Sequence, residues 1–147
     1  MIYENYMCRA SRTLLIGAGS SSAQLIRETS AYCDAIVAAD GGFEAAKQAG
    51  VQVALVVGDM DSQKDLPTSQ AAAHITDQET TDFQKCLAVC DADVFLGVGF
   101  LGGRLDHQLA GFSALLNEPR PVVLVDEAQL VFVVPPEFSM DLEAETP

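Results

Sequence analysis

The chain has 147 residues, 49% of them hydrophobic, which is enough for one packed core and too little for two domains of ordinary size. Its 21 acidic and 8 basic residues give a net charge of −13, which disfavours nucleic acid and anionic membranes as partners. The longest nearly apolar run, 94–103, is too short to cross a bilayer, and residues 1–12 lack the apolar core of a signal peptide. We expect a cytoplasmic protein that binds neither nucleic acid nor membrane.

The first half of the chain alternates apolar runs with amphipathic stretches. In chain order this pattern predicts a strand at 13–16, a helix at 23–32, a strand at 35–39, a helix at 43–48 ended by Gly50, and a strand at 53–57. Continuous apolar strands separated by helices favour a parallel sheet that is covered on both faces. The predicted fold is therefore a three-layer α/β fold with a mostly parallel, Rossmann-like sheet.

The second half begins with a polar, proline-broken segment at 63–78, with a short strand predicted at 74–76. Thr81 and Gln84 form a capping-box pattern, which predicts a helix whose buried stripe is Phe83, Cys86, Leu87 and Cys90. The remaining predictions are a strand at 94–100, a helix with the apolar face Leu105, Leu109, Phe112 and Leu116, and strands at 122–125 and 130–134 around a turn. We expect a domain at 1–134 and, at 135–147, an acidic tail or the start of a truncated second domain.

Acidic and glycine-rich motifs follow several of the predicted strands. Asp40, Asp59 and Asp61 come directly after the second and third strands, and the segment 102–106 follows the strand at 94–100. In an open parallel sheet, ligands bind beyond the carboxyl ends of the strands. These motifs are therefore expected to meet in one cleft.

The residue types in these motifs suit a metal ion and a polyphosphate. Asp59 and Asp61 offer hard oxygen ligands to Mg²⁺, while Asp82 and Lys85 place an acid and a cation side by side on one helical turn. The planar guanidinium of Arg104 binds phosphate oxygens in pairs. Gly102 and Gly103 let backbone amides approach a ligand near a helix N-terminus, where Asp106 adds a further carboxylate.

Each motif also has a plain structural interpretation. The Asp40 motif is typical of a turn, Thr81 of a helix start, and Arg104 with Asp106 of a surface ion pair. The glycine turn at 17–22 imitates a dinucleotide-binding fingerprint, but Ser22 replaces its third glycine and the other acidic motifs are left without a role. The four cysteines form no C-x-x-C pair, so we interpret them as buried thiols and not as a zinc site.

Four motifs stand out along the chain: Ala39-Asp40-Gly41-Gly42, Val57-Gly58-Asp59-Met60-Asp61-Ser62, Gln78-Glu79-Thr80-Thr81-Asp82-Phe83-Gln84-Lys85 and Leu101-Gly102-Gly103-Arg104-Leu105-Asp106-His107. Together they resemble the motifs of thiamine pyrophosphokinase, in the same order and at similar spacings over residues 14–134. The resemblance implies transfer of the diphosphate of ATP to thiamine with Mg²⁺, giving thiamine diphosphate and AMP.

The resemblance implies specific roles for these residues. The metals and phosphates would be held by four aspartates: Asp59, Asp61, Asp82 and Asp106. Lys85 and Arg104 would offset charge on the transferred group and the leaving AMP. Contacts with the nucleotide would come from Asp40, Gly41, Gly42, Ser62, Gln78, Thr81, Gly102 and Gly103.

The sequence also departs from the family. Met60 stands where the family has an aromatic residue between the two aspartates, and the 147 residues include no Trp. The resemblance implies a small β-rich, Trp-containing domain that carries much of the thiamine site, and we expect this domain to be absent here. We therefore expect the catalytic domain alone, binding Mg-ATP but turning over poorly, with the homodimer of the family as its assembly. Two alternatives stay open: a diphosphokinase for another alcohol, such as a hydroxymethylpterin, and a non-catalytic domain that binds NAD or ATP.

Overall fold

A computed structural model describes residues 7–59 and 66–141 of the chain. Its regular elements in chain order are β1 (Cys8–Ile16), α1 (Ala23–Ser30), β2 (Ala35–Ala39), a 3₁₀ turn (Asp40–Gly42), α2 (Phe43–Ala49), β3 (Leu55–Gly58), β4 (Ala72–His74), α3 (Asp82–Val89), β5 (Cys90–Val98), α4 (Leu105–Asn117), β6 (Val122–Val125) and β7 (Leu130–Phe132). None of the helices in the described ranges is long and apolar enough to cross a bilayer.

All of these strands belong to one sheet in the order β4-β3-β2-β1-β5-β6-β7. Every neighbouring pair is parallel except β6 and β7. These two strands are antiparallel because a tight turn joins them, in which the Asp126 carboxylate accepts hydrogen bonds from the amides of Ala128 and Gln129. The predicted mostly parallel α/β fold is confirmed.

The helices cover both faces of the sheet, as predicted. On one face, α3 and α4 pack through residues such as Phe83 and Leu115 against Leu15 and Phe95. On the other face, α1 and α2 pack through residues such as Ile26 against the neighbouring, oppositely directed side chains of β1. Successive strand residues point to opposite faces, so the continuous apolar runs of the sequence fill two cores at once.

Local signals set three helix boundaries. The side chain of Ser22 accepts a hydrogen bond from the amide of Leu25 and caps α1. Thr81 and Gln84 form the predicted capping box at the start of α3. Gly50 ends α2 in the left-handed conformation with φ of 71°, which is accessible to glycine at little cost.

Two strands begin earlier than predicted. β1 starts at Cys8 and β5 at Cys90, and the two pair in register from Cys8↔Cys90 to Ile16↔Val98. Their first halves carry polar residues on one face, so a search for apolar runs finds only the ends. The placement of Cys90 on the helix was therefore wrong, because α3 ends at Val89 and the chain continues directly into β5.

The predicted apolar face of α4 was also wrong. Leu105, Leu109 and Leu116 are 69%, 57% and 72% exposed, and Phe112 alone of that face packs at the edge of the core. The helix buries Gly111, Ala114 and Leu115 instead. Since both faces are apolar, periodicity could not choose between them. Ala114 and Leu115 join the core on one side of the sheet, and this contact between elements decides which face is buried.

The other boundaries differ by a few residues. β3 spans Leu55–Gly58 where 53–57 was predicted, and β4 spans Ala72–His74 where 74–76 was predicted. The β4 boundary follows from pairing with β3, in which Val56 lies opposite Ala72. Residues 133–141 contain neither helix nor strand, although the ring of Phe138 packs on that of Phe132 at 5.3 Å. The domain boundary at 134 stays a prediction.

Candidate active site at the carboxyl edge of the sheet

The sheet brings several of the motifs to one edge. Because β1, β2, β3 and β5 are parallel neighbours, the residues that follow them lie along the same edge. Gly17 follows β1, Asp40 follows β2, Asp59 follows β3 and the 99–104 loop follows β5. This is the edge at which open parallel sheets bind ligands.

Of the predicted acids that the structure describes, Asp40 is the most enclosed, with 5% of its surface exposed. It opens the 3₁₀ turn, and Gly58 at the end of β3 lies against it: a Cβ added to Gly58 would stand 2.6 Å from the Cβ of Asp40. A Cβ on Gly41 would stand 2.5 Å from that of Ala18, and one on Gly42 would overlap the carbonyl oxygen of Ile16. The two glycines thus have a packing role in holding the turn over β1.

The glycine turn after β1 is joined to the loop after β5. The amide of Gly17 donates to the carbonyl of Val98 at 2.8 Å, and that of Gly19 to Gly99 at 2.9 Å. A Cβ on Gly17 would lie 2.7 Å from the Phe100 ring. Close packing of two loops accounts for these glycines. It also occupies two amides that a dinucleotide fingerprint would direct at a pyrophosphate, which argues against the dinucleotide alternative.

The start of α3 presents an acid and a cation together, as expected. The Nζ of Lys85 lies 3.8 Å from Oδ1 of Asp82, and the Lys85 side chain is only 7% exposed while that of Asp82 is half exposed. A buried lysine and a partly exposed carboxylate therefore form an ion pair at this corner of the edge. Thr81, one residue earlier, is committed to the capping box through its hydroxyl.

Asp77 is a residue that the sequence analysis missed. Its carboxylate accepts hydrogen bonds from the amide of Glu79 at 2.9 Å and the hydroxyl of Thr80 at 2.8 Å. These bonds, with the nearby charge of Lys85, hold the pKa of Asp77 below its usual value. Asp77 shapes the turn that carries Gln78, whose side-chain amide donates to the carbonyl of Thr76. The Asp-x-x-Thr spacing of an Asx turn was the available signal.

Glu127 was missed as well. It comes from the turn between β6 and β7, and its Oε1 accepts from the amide of Ser22 at 2.7 Å. This hydrogen bond lowers the pKa of Glu127 and places a carboxylate at the N-terminus of α1. No local pattern predicts a contact between positions so distant in the chain. The Glu127 carboxylate therefore lies beside the last residue of the glycine turn at 17–22.

Arg104 and Asp106 form a forked ion pair. Nε lies 3.1 Å from Oδ1 and Nη2 lies 2.5 Å from Oδ2, and both side chains are exposed. The hydrogen bonds from Arg104 lower the pKa of Asp106 and raise that of Arg104. Gly102 and Gly103 have φ of 75° and 73°, so the loop before the pair requires glycine. This geometry agrees with the interpretation of Arg104 and Asp106 as a surface ion pair, and the pair lies beside the loop that follows β5, at the carboxyl edge of the sheet.

The predicted metal ligands lie only partly within the described residues. Asp61 and Ser62 lie in the segment 60–65, with Met60, outside the described ranges. Among the residues that are described, no three His, Cys, Asp or Glu side chains lie close enough together to hold a metal ion. The set Asp59, Asp61, Asp82 and Asp106 stays a prediction.

A sequence profile of the family "Thiamin pyrophosphokinase, catalytic domain" matches residues 26–124. The chain belongs to this family. The matched range includes Asp40, Asp59, Asp82 and Asp106, and it begins after the glycine turn at 17–22. The resemblance found in the sequence is thereby confirmed.

Relatives of this thiamin pyrophosphokinase domain agree with the assignment. Thiamin pyrophosphokinase 1 of Caenorhabditis elegans is 30% identical over 95 residues, which are 55% of this chain and 39% of that protein. The thiamin pyrophosphokinase structure from Candida albicans has a TM-score of 0.70 at 17% identity, covering 90% of this chain and 66% of that one. The one from Geobacillus thermodenitrificans has a TM-score of 0.63 at 23% identity, covering 78% and 59%. The two structures support the fold, and the chain spans less than two thirds of each relative's length.

Proposed function

We propose that this domain binds Mg-ATP and provides the catalytic half of a diphosphotransferase that converts thiamine and ATP into thiamine diphosphate and AMP. The observation that carries the proposal is the common edge of the sheet, where Asp40, Asp59 and the 99–104 loop follow the parallel strands β2, β3 and β5 of a family member. Thiamine as the acceptor rests on family membership.

The carboxylates at this edge are of the ligand type that a magnesium ion prefers. Asp59 follows β3, Asp82 lies half exposed on the first turn of α3, and both provide the carboxylate oxygens that Mg²⁺ prefers. Asp61 and Asp106 complete the proposed set. When bound, the metal neutralises charge on the phosphates, which a chain of net charge −13 would otherwise repel.

Two cations have distinct tasks in this proposal. Arg104 is exposed and carries a planar fork, so it exchanges its carboxylate partner for phosphate oxygens of ATP. Lys85 is buried and holds the Asp82 carboxylate in place from beneath. Thr81 and Gln78 flank this corner as nucleotide contacts. Because phosphoryl-type transfer depends mostly on positioning and charge, these roles account for the main protein contribution to the reaction.

The proposed protein partner is a second copy of the chain. The proposed compartment is the cytoplasm. Leu105, Leu109, Phe112 and Leu116 follow the 4-3-4 spacing of a helix–helix seam, and the three leucines are exposed. An apolar stripe on a helix of an otherwise acidic protein is typical of a surface that another molecule covers. Sedimentation of wild type and of Leu109→Glu tests this: a dimer that the substitution dissociates is expected, and a monomeric wild type contradicts it.

Calorimetric titration with a non-hydrolysable ATP analogue, with and without Mg²⁺, tests the nucleotide site. We expect Mg-dependent binding that Asp59→Asn weakens by at least about tenfold, since it removes a ligand oxygen charge. Asp93→Asn is the matched control, because Asp93 is an exposed acid in the first half of β5, towards the opposite edge. Binding of NAD in preference to the ATP analogue, or unchanged Mg²⁺ dependence in Asp59→Asn, would contradict the proposal.

A further inference from the structure

Three buried thiols lie where β1 and β5 begin, away from the carboxyl edge. Cys8 is the first residue of β1, Cys90 is the first residue of β5, and Cys86 lies one helical turn earlier on α3. Cys8 is 8% exposed and Cys90 is fully buried. The proposed diphosphate transfer uses none of the three.

Cys8 and Cys90 are directly paired in the sheet. They are Cα partners in the parallel register of β1 and β5. Neighbouring strands lie about 4.7–4.9 Å apart, and disulfides join Cα atoms separated by about 4.4–6.8 Å. The two side chains point to the same face, as those of residues opposite each other on neighbouring strands do, and both belong to the same core cluster. The register therefore holds the two Cα atoms within the range that a disulfide joins.

The two thiols differ in chemical character. The hydrogen bond that Cys8 receives from Cys90 lowers the pKa of Cys8, although burial opposes this. The pKa of Cys90 is raised, first by that same hydrogen bond and then by burial, while the Arg120 charge opposes both effects. Burial raises the pKa of Cys86 and raises that of Cys33 to about 11. Of the four, Cys8 has the greatest thiolate character and Cys90 is its nearest partner.

We propose that Cys8 and Cys90 form an oxidisable dithiol that low-molecular-weight disulfides, such as oxidised glutathione, convert into a β1–β5 disulfide. The Cys8 thiolate attacks one sulfur of the small disulfide, which breaks the S–S bond and releases one thiol. The Cys90 thiolate then attacks the Cys8 sulfur of the mixed disulfide and releases the second thiol. The two cysteine protons end on the two released thiols, so the protein is oxidised by two electrons and the reagent is reduced.

The Cys8–Cys90 disulfide would restrain the C-terminal end of α3, the helix that carries Asp82 and Lys85 of the candidate site. α3 runs without a loop into β5, so a covalent bond at Cys90 fixes the helix end that follows Asp82 and Lys85. Arg120 further secures the junction, because its guanidinium donates to the carbonyls of Cys90 at 2.6 Å and Leu87 at 2.9 Å. In a reducing compartment such a bond would form transiently, as redox-sensing disulfides do.

The test is oxidation of the folded 147-residue chain with oxidised glutathione, followed by intact mass and peptide mapping without reduction. We expect a loss of about 2 Da, from removal of two hydrogens, and a linked pair of peptides containing Cys8 and Cys90. Cys33→Ala, which alters a thiol outside this group, should give the same bridge. Cys8→Ala should abolish it, with folding checked by circular dichroism.

Three results would overturn the proposal. These are an unchanged mass in the wild type, a bridge between Cys86 and Cys90, and a glutathione adduct on Cys8 that Cys90 never displaces. Because the peptide map is read on the wild type, the outcome does not depend on how well any variant folds. Neither ATP nor thiamine enters the experiment, so its result is independent of the proposed enzymatic function.

Discussion

Gly58 lies directly against Asp40: a Cβ at position 58 would stand 2.6 Å from the Cβ of Asp40. This contact presses the end of β3 onto the first residue of the turn after β2. The buried Asp40 is therefore positioned by the absence of a side chain at position 58 on the next strand.

Gly58→Ala is expected to destabilise the domain by about 1–3 kcal/mol, since the added methyl group overpacks a closed contact. Displacement of Asp40 should also weaken Mg-ATP binding. Urea unfolding and calorimetry measure the two effects. Gly111→Ala is the matched control: nothing lies within 4 Å of its added Cβ, and removing a glycine from a helix should stabilise by about 0.5–1 kcal/mol. Equal stability of wild type and Gly58→Ala would contradict the packing argument.

Lys85 pairs with Asp82, and Lys47 pairs with Glu44, each with its partner three residues earlier and at 3.8 Å. The Lys85 side chain is 7% exposed, whereas that of Lys47 is 70% exposed. Lys85→Met keeps the buried stem and removes the charge, so unfolding should be unchanged or need more urea. Mg-ATP binding should fall by at least about tenfold, since removing a group that positions a metal ligand typically costs about 10–100-fold in affinity. Lys47→Met should change neither quantity. A Lys85→Met variant that binds normally would remove Lys85 from the site.

Arg104→Ala separates the two interpretations of the exposed Arg104–Asp106 pair. If Arg104 binds phosphate, calorimetry should show weaker Mg-ATP binding with an unchanged melting temperature, and Arg104→Lys should recover only part of the affinity because the ammonium lacks the planar fork. Arg12→Ala is the control, since Arg12 pairs with Asp34 at 3.5 Å on the exposed surface near the opposite edge. If Arg104→Ala binds Mg-ATP with full affinity, the Arg104–Asp106 pair of the wild type is a surface ion pair with no part in phosphate binding.

Glu118 links stability to pH. Burial raises its pKa, but the hydrogen bonds and charge of Arg120 outweigh burial and leave the pKa below the usual value of 4.5. A lowered folded-state pKa contributes stability that is fully present above the unfolded value and is lost as pH falls through the folded value. The urea midpoint should therefore drop as pH falls below about 4.5.

Glu118→Gln should be less stable than wild type at pH 7 and should lose less stability on acidification, because it no longer takes up this proton. Glu28→Gln, on the exposed surface of α1, is the control and should follow the wild-type profile. The same acid dependence in Glu118→Gln and wild type would show that another group is responsible.

Local chemistry in the sequence determined much of this domain. The run 35–39 has the length and composition of a buried strand, Gly50 can adopt positive φ cheaply, and Thr81 with Gln84 closes a capping box within four residues. The parallel fold followed from the order of such elements. The placement of Asp40 and Asp59 at one edge followed in turn, because parallel strands end on the same side.

Only the tertiary structure decided features that depend on partners distant in the chain. The pairing of Cys8 with Cys90 requires β1 to lie beside β5, and the contact of Glu127 with Ser22 requires a turn to fold back on α1. The buried face of α4 was decided by the contacts of Ala114 and Leu115 with the core on one side of the sheet, since two faces of that helix were equally apolar. Periodicity records which residues share a face, whereas contact between elements decides which face is covered.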